Sequence, residues 1–242
     1  MIKSLKILFF TVFFACYSSY AQEIPLIHTF TPEKYKAENQ NWAISQNTDK
    51  YIYFANNKGL LEYNGEDWQL YSTPNETIMR SVKCYKDMVF SGFYMDFGYW
   101  KKDSFGNLRF TSIVKENRLN MLEDEQIWEI FELDGWMIFK SLQRIYLYNI
   151  NDKEIKIINA TNSFVKLSKV ENRIYYQDLG KGIFIIENGT SKLVTDNELL
   201  KNNRVVQIFQ DEEALFFITQ KNGFYYFENN SVRKWSTSFE SL

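Results

Sequence analysis

The sequence has few of the residues on which several kinds of functional site depend. Of its 242 residues, one is histidine (His28), two are cysteine and three are proline. A single histidine excludes a catalytic triad built on histidine and a metal site built on several histidines. Sequence motifs of serine hydrolases, nucleotide-binding P-loops and zinc sites are also absent. We therefore expect no catalytic residues, no bound metal and no cofactor.

An excess of charge of one sign is lacking too. The 28 basic and 30 acidic residues give a net charge of −2, so we expect no broad basic surface and no contact between this segment and nucleic acid. Beyond the N-terminus, no apolar run approaches the roughly 18 residues that a membrane-spanning helix needs. Aromatic residues, by contrast, make up 18% of the chain, which favours many short, twisted strands over disorder.

The N-terminus has the features of a secretory signal peptide. Two lysines precede a mostly apolar run from Ile7 to Ala15, and small residues end at Ala21. This pattern predicts that residues 1–21 are removed and that the protein is exported to the periplasm or the cell surface. Cys16 leaves open the alternative of a lipoprotein attachment site. Cleavage would leave Cys84 as the only cysteine, which excludes an intramolecular disulfide and predicts a buried structural thiol.

Five turns rich in Asn, Asp and Gly divide the chain at intervals of about 37 to 45 residues, the period of a propeller blade. They are Asn64-Gly65, Gly106-Asn107, Asn151-Asp152, Asn188-Gly189 and Asn229-Asn230. Asn-Gly between alternating strands is a strong hairpin signal, since both central residues require positive φ. One blade cannot bury both of its faces alone, so neighbouring blades must stack. We predict an all-β protein, a β-propeller of four-stranded blades.

The predicted propeller domain spans residues 22–242 and contains about five blades. Their approximate limits are 41–73, 78–114, 126–161, 163–197 and 204–238. In the first blade, strands a to d are expected at Asn41–Asn47, Tyr51–Ala55, Leu60–Tyr63 and Trp68–Ser72. The innermost strands of the later blades should begin near Met79, Ile127, Phe164 and Val205. Short helical turns are predicted within Asn120–Glu125 and Asn197–Lys201, and an N-terminal strand around Leu26–Phe30.

The sequence allows two interpretations of how many blades complete the ring. The fifth blade already has an outer strand, Val232–Ser236, and the sequence ends at Leu242 without a closing segment. The five blades therefore form either a complete ring or the first part of a larger, seven-bladed ring, and we favour the second. An open stack would expose strand edges at its last blade.

Four segments carry blade motifs in a fixed order. They are Gln40–Gln46 with Tyr53–Tyr63, Gly92–Trp100, Phe139–Ser141 with Ile145–Tyr148, and Gln177–Gly182. Together they resemble bacterial two-component-regulator propellers, the periplasmic sensor regions that often precede a triple-tyrosine domain. In the second segment, Asp96 stands where the family often has glutamate. The resemblance covers nearly all of the mature chain.

This resemblance implies a non-catalytic sensor that receives a signal outside the cytoplasm and contributes to transcription regulation. In the family, a transmembrane helix connects the propeller to a helix-turn-helix or histidine kinase module. This sequence contains no triple-tyrosine domain, second membrane span or output module, so membrane attachment would depend on a missing C-terminal part. The expected partners are a ligand, for which an oligosaccharide is one candidate, and a second copy of the chain.

Strand order predicts which loops share a side of the propeller. The b–c turns and the d–a connections lie on one side, where polar and aromatic residues of the b–c turns should form a ligand site. The predicted ligand-binding residues are Asn57, Tyr94, Asp96, Lys140, Gln177, Asp178, Gln220 and Lys221, joined by the connection Glu116–Glu125. Amides, carboxylates, lysines and aromatic rings in combination are typical of polyol or glycan recognition. The alternative is that they form ordinary solvated turns.

Aromatic residues at matching strand positions are predicted to pack between blades. They are the pairs Tyr53-Phe54, Tyr175-Tyr176, Phe216-Phe217 and Tyr225-Tyr226, together with Trp42, Trp68, Trp128 and Trp235.

Two other functions remain open at this point. The protein could be a free-standing cell-envelope scaffold that binds protein through the same loops. It could also be a carbohydrate-active enzyme, in which Asp96 and a carboxylate of Glu123–Glu125 cleave a glycosidic bond.

Overall fold

The computed structural model describes residues 26–163, 166–211 and 214–236. The chain divides into two compact units, residues 1–31 and 32–242. Of the first unit only residues 26–31 are described; they form no strand, so the predicted N-terminal strand is wrong. The predicted signal peptide lies outside the described residues. In the part of the chain that is described, no helix has the length and apolar character needed to cross a membrane.

The second unit contains five antiparallel sheets, in each of which four consecutive strands pair in chain order. Blade 1 consists of β1 (Asn41–Gln46), β2 (Ile52–Asn56), β3 (Gly59–Tyr63) and β4 (Trp68–Tyr71). Blade 2 consists of β5 (Met79–Tyr85), β6 (Met88–Phe93), β7 (Asp96–Lys102) and β8 (Leu108–Ser112). Blade 3 consists of β9 (Glu129–Leu133), β10 (Trp136–Lys140), β11 (Arg144–Asn149) and β12 (Ile155–Asn159).

Blade 4 consists of β13 (Ser168–Val170), β14 (Arg173–Asp178), β15 (Gly182–Glu187) and β16 (Thr190–Thr195). Blade 5 consists of β17 (Val205–Asp211), β18 (Ala214–Thr219), β19 (Phe224–Glu228) and β20 (Ser231–Trp235). In the described part of the chain, three single-turn helices lie outside the sheets: α1 (Pro32–Tyr35), α2 (Ile113–Glu116) and α3 (Glu198–Lys201). Five four-stranded sheets confirm the predicted architecture of propeller blades.

The hydrophobic core forms four clusters, and each lies between two consecutive blades. Between blades 2 and 3, Phe90 and Phe97 pack against Phe139 with ring centroids 6.2 and 4.4 Å apart. Burying a side chain of this size stabilises the fold by about 1.5–3 kcal/mol. Because successive strand residues point to opposite faces, each inner blade serves two clusters. Cys84 borders the cluster between blades 1 and 2; it is half-buried, and burial raises its pKa.

Strand b, the second strand of each blade, has an equivalent position in all five blades. It lies three residues before the last residue of strand b that pairs with the third strand. It is occupied by Tyr53, Phe90, Ile138, Tyr175 and Phe216. In blades 1 to 4 this side chain contacts the next blade and is at most 2% exposed. We call it the forward position. In blade 5 its occupant, Phe216, is only half-buried.

The inter-blade prediction is right for part of the aromatic set. Tyr53, Tyr175, Tyr176, Phe217 and Tyr225 all belong to clusters between blades.

The prediction is wrong for two tryptophans in the outermost strands. Trp68 lies on the face of blade 1 that points away from blade 2, and Trp235 lies on the face of blade 5 that points away from blade 4. We call these surfaces the end face of blade 1 and the end face of blade 5. The reason is the alternation of strand residues: both blades place aromatic side chains on both faces, and only one face meets a described neighbour.

The c–d turns follow the turn prediction in part. Both residues of Asn188-Gly189 and of Asn229-Asn230 have positive φ, as expected for tight hairpins. At Asn64-Gly65 only the glycine does, with φ of 104°. The Asn64 side chain instead accepts hydrogen bonds from the backbone N–H groups of Glu66 and Asp67, at 2.9 and 2.7 Å. This Asx turn takes the place of the predicted two-residue turn.

Helical turns were predicted in two connections between blades, and one of the two predictions is wrong. The helix α3 lies within the predicted segment Asn197–Lys201, but Asn120–Glu125 forms no helix. The unpredicted helix α2 precedes it instead, and its cap Ser112 accepts a 3.0 Å hydrogen bond from the backbone of Lys115. β9 and β13 also begin later than expected, and Phe164 lies outside the described residues.

Candidate functional site

The b–c turns and the d–a connections lie together, as the strand order predicts. Backbone hydrogen bonds join them in three blades: Met95 N–H to the Glu125 carbonyl (2.8 Å), Gly180 N–H to the Lys201 carbonyl (3.0 Å) and Gln220 N–H to the Arg204 carbonyl (2.8 Å). We call this side of the blades the b–c face. Each of these three turns is therefore held in place by a connection between blades.

Tyr94 and Asp124 form an exposed polar pair on this face. The Tyr94 hydroxyl donates a 2.6 Å hydrogen bond to Oδ1 of Asp124, and this bond raises the pKa of the phenol. The backbone of Tyr94 pairs with Gln126 and accepts a hydrogen bond from the Asn75 amide. A phenol and a carboxylate fixed in this way present a donor and an acceptor side by side to solvent.

Asp96 occupies a different environment although it stands two residues away. Its side chain is 7% exposed and accepts hydrogen bonds from the Ser112 hydroxyl (2.6 Å) and from the backbone of Phe97 (2.8 Å). Burial raises the pKa of its carboxyl group. Asp96 therefore ties the b–c turn of blade 2 to the cap of α2.

Lys140, Gln177 and Asp178 are also buried. The Lys140 ammonium lies 3.5 Å from the carboxylate of Glu129. Gln177 donates hydrogen bonds to the carbonyls of Leu200 (2.7 Å) and Asn203 (2.8 Å) and accepts one from the backbone of Val205 (2.9 Å). Asp178 accepts hydrogen bonds from the backbone and the hydroxyl of Thr161. These contacts hold the connections around blade 4 in place.

The remaining predicted site residues lie at the surface. Asn57 accepts a 2.8 Å hydrogen bond from the Trp42 indole and donates one of 2.8 Å to Glu38. Gln220 and Lys221 are exposed in blade 5. The structure thus separates the eight predicted residues into a buried set, which supports the turns, and a surface set. Direct contact of any of them with a ligand stays a prediction.

Glu125 differs from its neighbours Glu123 and Asp124, which are exposed. It is 6% exposed and accepts hydrogen bonds from the hydroxyls of Ser141 (2.6 Å) and Tyr146 (2.7 Å). Burial is the main reason why the pKa of Tyr146 is raised. This network joins the d–a connection to the b–c turn of blade 3.

At the inner edges of blades 1 to 3, Arg80, which sequence reasoning missed, meets two tryptophans for which a different role was predicted. The guanidinium carbon of Arg80 is 4.1 Å from the ring centroid of Trp42 and 4.8 Å from that of Trp128. The two indoles meet edge-on, with centroids 6.2 Å apart. Trp42 and Trp128 thus flank a cation at the inner edge and do not join any of the four clusters between blade faces, which corrects their predicted role. Trp42 remains 44% exposed.

A repeat alignment could have found these three residues. Trp42, Arg80 and Trp128 each follow directly the residue at which an innermost strand was expected to begin, namely Asn41, Met79 and Ile127. Equivalent positions of neighbouring innermost strands meet around a propeller axis. Matching positions therefore bring the three side chains together.

Two adjoining clefts open beside this cluster. The first, with a volume of about 340 Å³, is lined by Arg80, Tyr94, Gln126 and the segment Glu76–Ile78. The second, of about 200 Å³, is lined by Glu123–Gln126, Trp128 and Ser141–Gln143. We call them the Arg80 cleft and the Trp128 cleft. Gln126 lines both, and the Arg80 side chain donates a 2.9 Å hydrogen bond to it.

The clefts combine aromatic faces, an amide, exposed carboxylates and a guanidinium within a small area. This mixture suits hydrogen bonding and stacking with a small polar ligand. Among the described residues, no group of three or more His, Cys, Asp or Glu side chains is placed to hold a metal ion.

Comparison with known proteins gives similarity in fold. No family model and no curated protein matches the sequence. The extracellular domain of the one-component system BT4673 from B. thetaiotaomicron is similar over 80% of this chain and 27% of its own, with 13% identity and a TM-score of 0.55. The extracellular domain of the hybrid two-component system BT3049 from the same organism is similar over 88% of this chain and 29% of its own, with 17% identity and a TM-score of 0.55.

A third solved structure, BamB from Moraxella catarrhalis, is similar over 79% of this chain and 62% of its own, with 9% identity and a TM-score of 0.54. Identities this low establish the fold alone. The chain spans less than a third of the length of the two extracellular domains.

Proposed function

We propose that this chain is the sensing propeller of an exported signal-transduction protein and that it binds its ligand on the b–c face. The observation that carries the proposal is the pair of clefts beside Trp42, Arg80 and Trp128, where aromatic and polar groups converge. The order of the four blade motifs and the N-terminal signal pattern support a sensor outside the cytoplasm, and so does the similarity in fold to extracellular domains of a one-component and a hybrid two-component system.

The location of the clefts suggests how binding would be transmitted. The Arg80 cleft lies between the b–c turn of blade 2 and the connection that enters blade 3, which are joined by the pairing of Tyr94 with Gln126. A ligand that contacts both elements favours one relative position of the two blades. The proposed signal is this change in blade packing or in the association of two copies.

Ligand binding on this face can be tested with a glycan array and titration calorimetry on the purified protein. Replacing Tyr94 by Phe removes the hydroxyl that bonds Asp124 but keeps the ring, and we expect affinity to fall by about tenfold, the value of one good hydrogen bond. Tyr63→Phe, which removes an exposed hydroxyl that donates to the Gly65 carbonyl at the c–d turn of blade 1, is the matched control. Unchanged affinity in Tyr94→Phe would remove the Arg80 cleft from the proposal.

A role without catalysis is supported by the state of the carboxylates proposed for glycoside cleavage. Asp96 and Glu125 are both buried and hydrogen-bonded within the protein, whereas Glu123 and Asp124 are exposed and line the Trp128 cleft. A catalytic pair that includes Asp96 would therefore need a carboxyl group that the fold already holds. The test is turnover of oligosaccharides that bind: release of reducing sugar that is lost in Glu123→Gln would favour the enzyme.

Export is tested separately by fractionating cells that produce the full chain. We expect the protein outside the cytoplasm, shortened by the 21 residues of the predicted signal peptide, because the N-terminal pattern predicts cleavage after Ala21. Full-length protein in the cytoplasm would contradict the proposed location.

A further inference from the structure

We infer that the Arg80 cleft recognises the carboxylate of an acidic sugar, so that the ligand is an oligosaccharide containing a hexuronate. This inference rests on the proposed function, because it assigns the ligand class of the same site. It is carried by the environment of one side chain, Arg80, and by the groups around it.

Arg80 is a partly buried cation whose charge is not matched by a nearby anion. It forms no ion pair with any described residue, and its Nη1 atom is buried without a hydrogen-bond partner among them. The rings of Trp42 and Trp128 pack against two adjacent sides of the guanidinium and cover part of it. Charged groups withdrawn from water are normally paired, so this arrangement is completed by an anionic group.

The carboxylates nearby do not supply that group. Glu76 lines the same cleft but is exposed and lies beyond ion-pair distance of Arg80. Asp124 already accepts the hydrogen bond from Tyr94. Among the described residues, the one side chain to which Arg80 donates a hydrogen bond is the neutral amide of Gln126, through Nε. Because Nε is used and Nη1 is buried, Nη2 is the guanidinium nitrogen that can donate a charge-assisted hydrogen bond to a carboxylate in the cleft.

The surroundings suit a sugar ring next to that carboxylate. Tyr94, Gln126 and Thr77 offer hydroxyl and amide groups around the Arg80 cleft, and Trp128 offers an aromatic ring in the adjoining cleft. Because Gln126 also lines the Trp128 cleft, a second ring can continue there toward Asp124. Together the two clefts match a disaccharide in size, with stacking and hydrogen bonds of the kind that hold small polar ligands.

The experiment measures binding of uronate disaccharides and of their carboxyl-reduced counterparts to the purified protein by calorimetry and tryptophan fluorescence. The panel contains digalacturonate and disaccharides of glucuronate, mannuronate and guluronate. We expect at least one acid to bind, and its carboxyl-reduced form to bind about 10- to 100-fold more weakly, since the charge-assisted pair is lost. Trp42 and Trp128 should report binding as a change in fluorescence.

Three variants locate the carboxylate. Arg80→Gln should weaken binding of the acid by about the same factor and weaken binding of the reduced sugar much less. Arg80→Lys should retain part of the preference for the acid, because it keeps the charge but not the position of the Nη2 donor. Arg109→Gln is the matched control, because Arg109 is an exposed arginine on β8 and loses the same charge. Melting temperatures of all variants are compared with that of the unaltered protein.

The outcomes separate this inference from the proposed function. Equal affinity for the acid and reduced forms overturns the inference, and so does the absence of any uronate that binds with a dissociation constant below about 1 mM. This comparison needs only the unaltered protein, so it can be made even if Arg80→Gln does not fold. Neutral glycans that still bind, and bind less tightly to Tyr94→Phe, would keep the proposed function. Loss of acid binding in Arg109→Gln to the same extent as in Arg80→Gln would also overturn the inference.

Discussion

The two end faces carry similar aromatic clusters with different surroundings. On the end face of blade 1, Trp68 contacts Phe54 and Tyr63, with ring centroids 5.6 and 4.4 Å away, and Tyr35 of α1 packs against it at 5.4 Å. Tyr35 itself is only 7% exposed. The segment before blade 1 therefore covers part of this face.

On the end face of blade 5, Phe216 contacts Phe209, Trp235 and Tyr226 at centroid distances of 5.2, 5.1 and 6.1 Å. A cleft of about 540 Å³ opens over these rings, and every residue that lines it belongs to blade 5. Trp235 is 40% exposed. The blade sequences therefore place aromatic rings on both faces, whether or not both faces are covered. Cover is supplied by a segment outside the repeat.

The largest expected effect comes from two neighbouring phenylalanines of β18. Phe217 is fully buried against blade 4, whereas Phe216 lies on the end face. We expect Phe217→Ala to lower the free energy of unfolding by about 3–5 kcal/mol, and Phe216→Ala by about 1 kcal/mol, because less apolar surface and no closed cavity are involved. Urea denaturation measures both. Equal losses would mean that the end face of blade 5 is covered in solution.

A second comparison uses the two outer tryptophans. Trp68→Ala should lower the free energy of unfolding by about 2–3 kcal/mol, since Trp68 has three aromatic neighbours and the cover of α1. Trp235→Ala should cost about 1 kcal/mol or less, given its exposure. A further variant, Tyr35→Ala, should reproduce most of the Trp68 effect. If it does not, α1 is not the cover that stabilises blade 1.

A third prediction concerns how stability depends on pH through Tyr53, which occupies the covered forward position of blade 1. Burial, followed by a hydrogen bond to Glu62, raises the pKa of Tyr53 above its usual range near 10. The folded protein therefore keeps the phenol proton at a pH where the unfolded chain loses it, so stability falls as pH rises above about 10, by at most about 1.4 kcal/mol per pH unit. In Tyr53→Phe the decline between pH 9 and 11 should be less steep. An unchanged slope would show that Tyr53 is not buried as described.

The smallest expected effect is a change in the fluorescence of an apolar dye bound to the end face of blade 5. An apolar fluorescent dye should bind the end face of blade 5, and Trp235→Gln should reduce its fluorescence while changing the free energy of unfolding by about 1 kcal/mol or less. The exposed Phe105, on the c–d turn of blade 2, provides the control variant Phe105→Gln. A similar loss of fluorescence in both variants would contradict a dye site on the end face.

Part of the candidate site was predictable from the sequence and part was not. The strand order placed Tyr94 and Asp124 on the b–c face, where the structure has them as an exposed pair. It did not distinguish them from Asp96, because exposure of a turn residue depends on the neighbouring connection, here the cap of α2. The contact of Arg80 with two tryptophans was missed since the three residues lie far apart in the sequence and meet only when three blades are stacked.

The sequence by itself determined the repeat. The spacing of the Asn- and Gly-rich turns and the alternation of aromatic residues specify five four-stranded sheets, because hairpin turns and strand periodicity are local properties. Tertiary structure alone decided which aromatic face is covered, which turn carboxylates are buried and which cation packs against two indoles. Each of these depends on a residue from another blade or from a flanking segment, and burial and electrostatic environment arise only when those parts pack together.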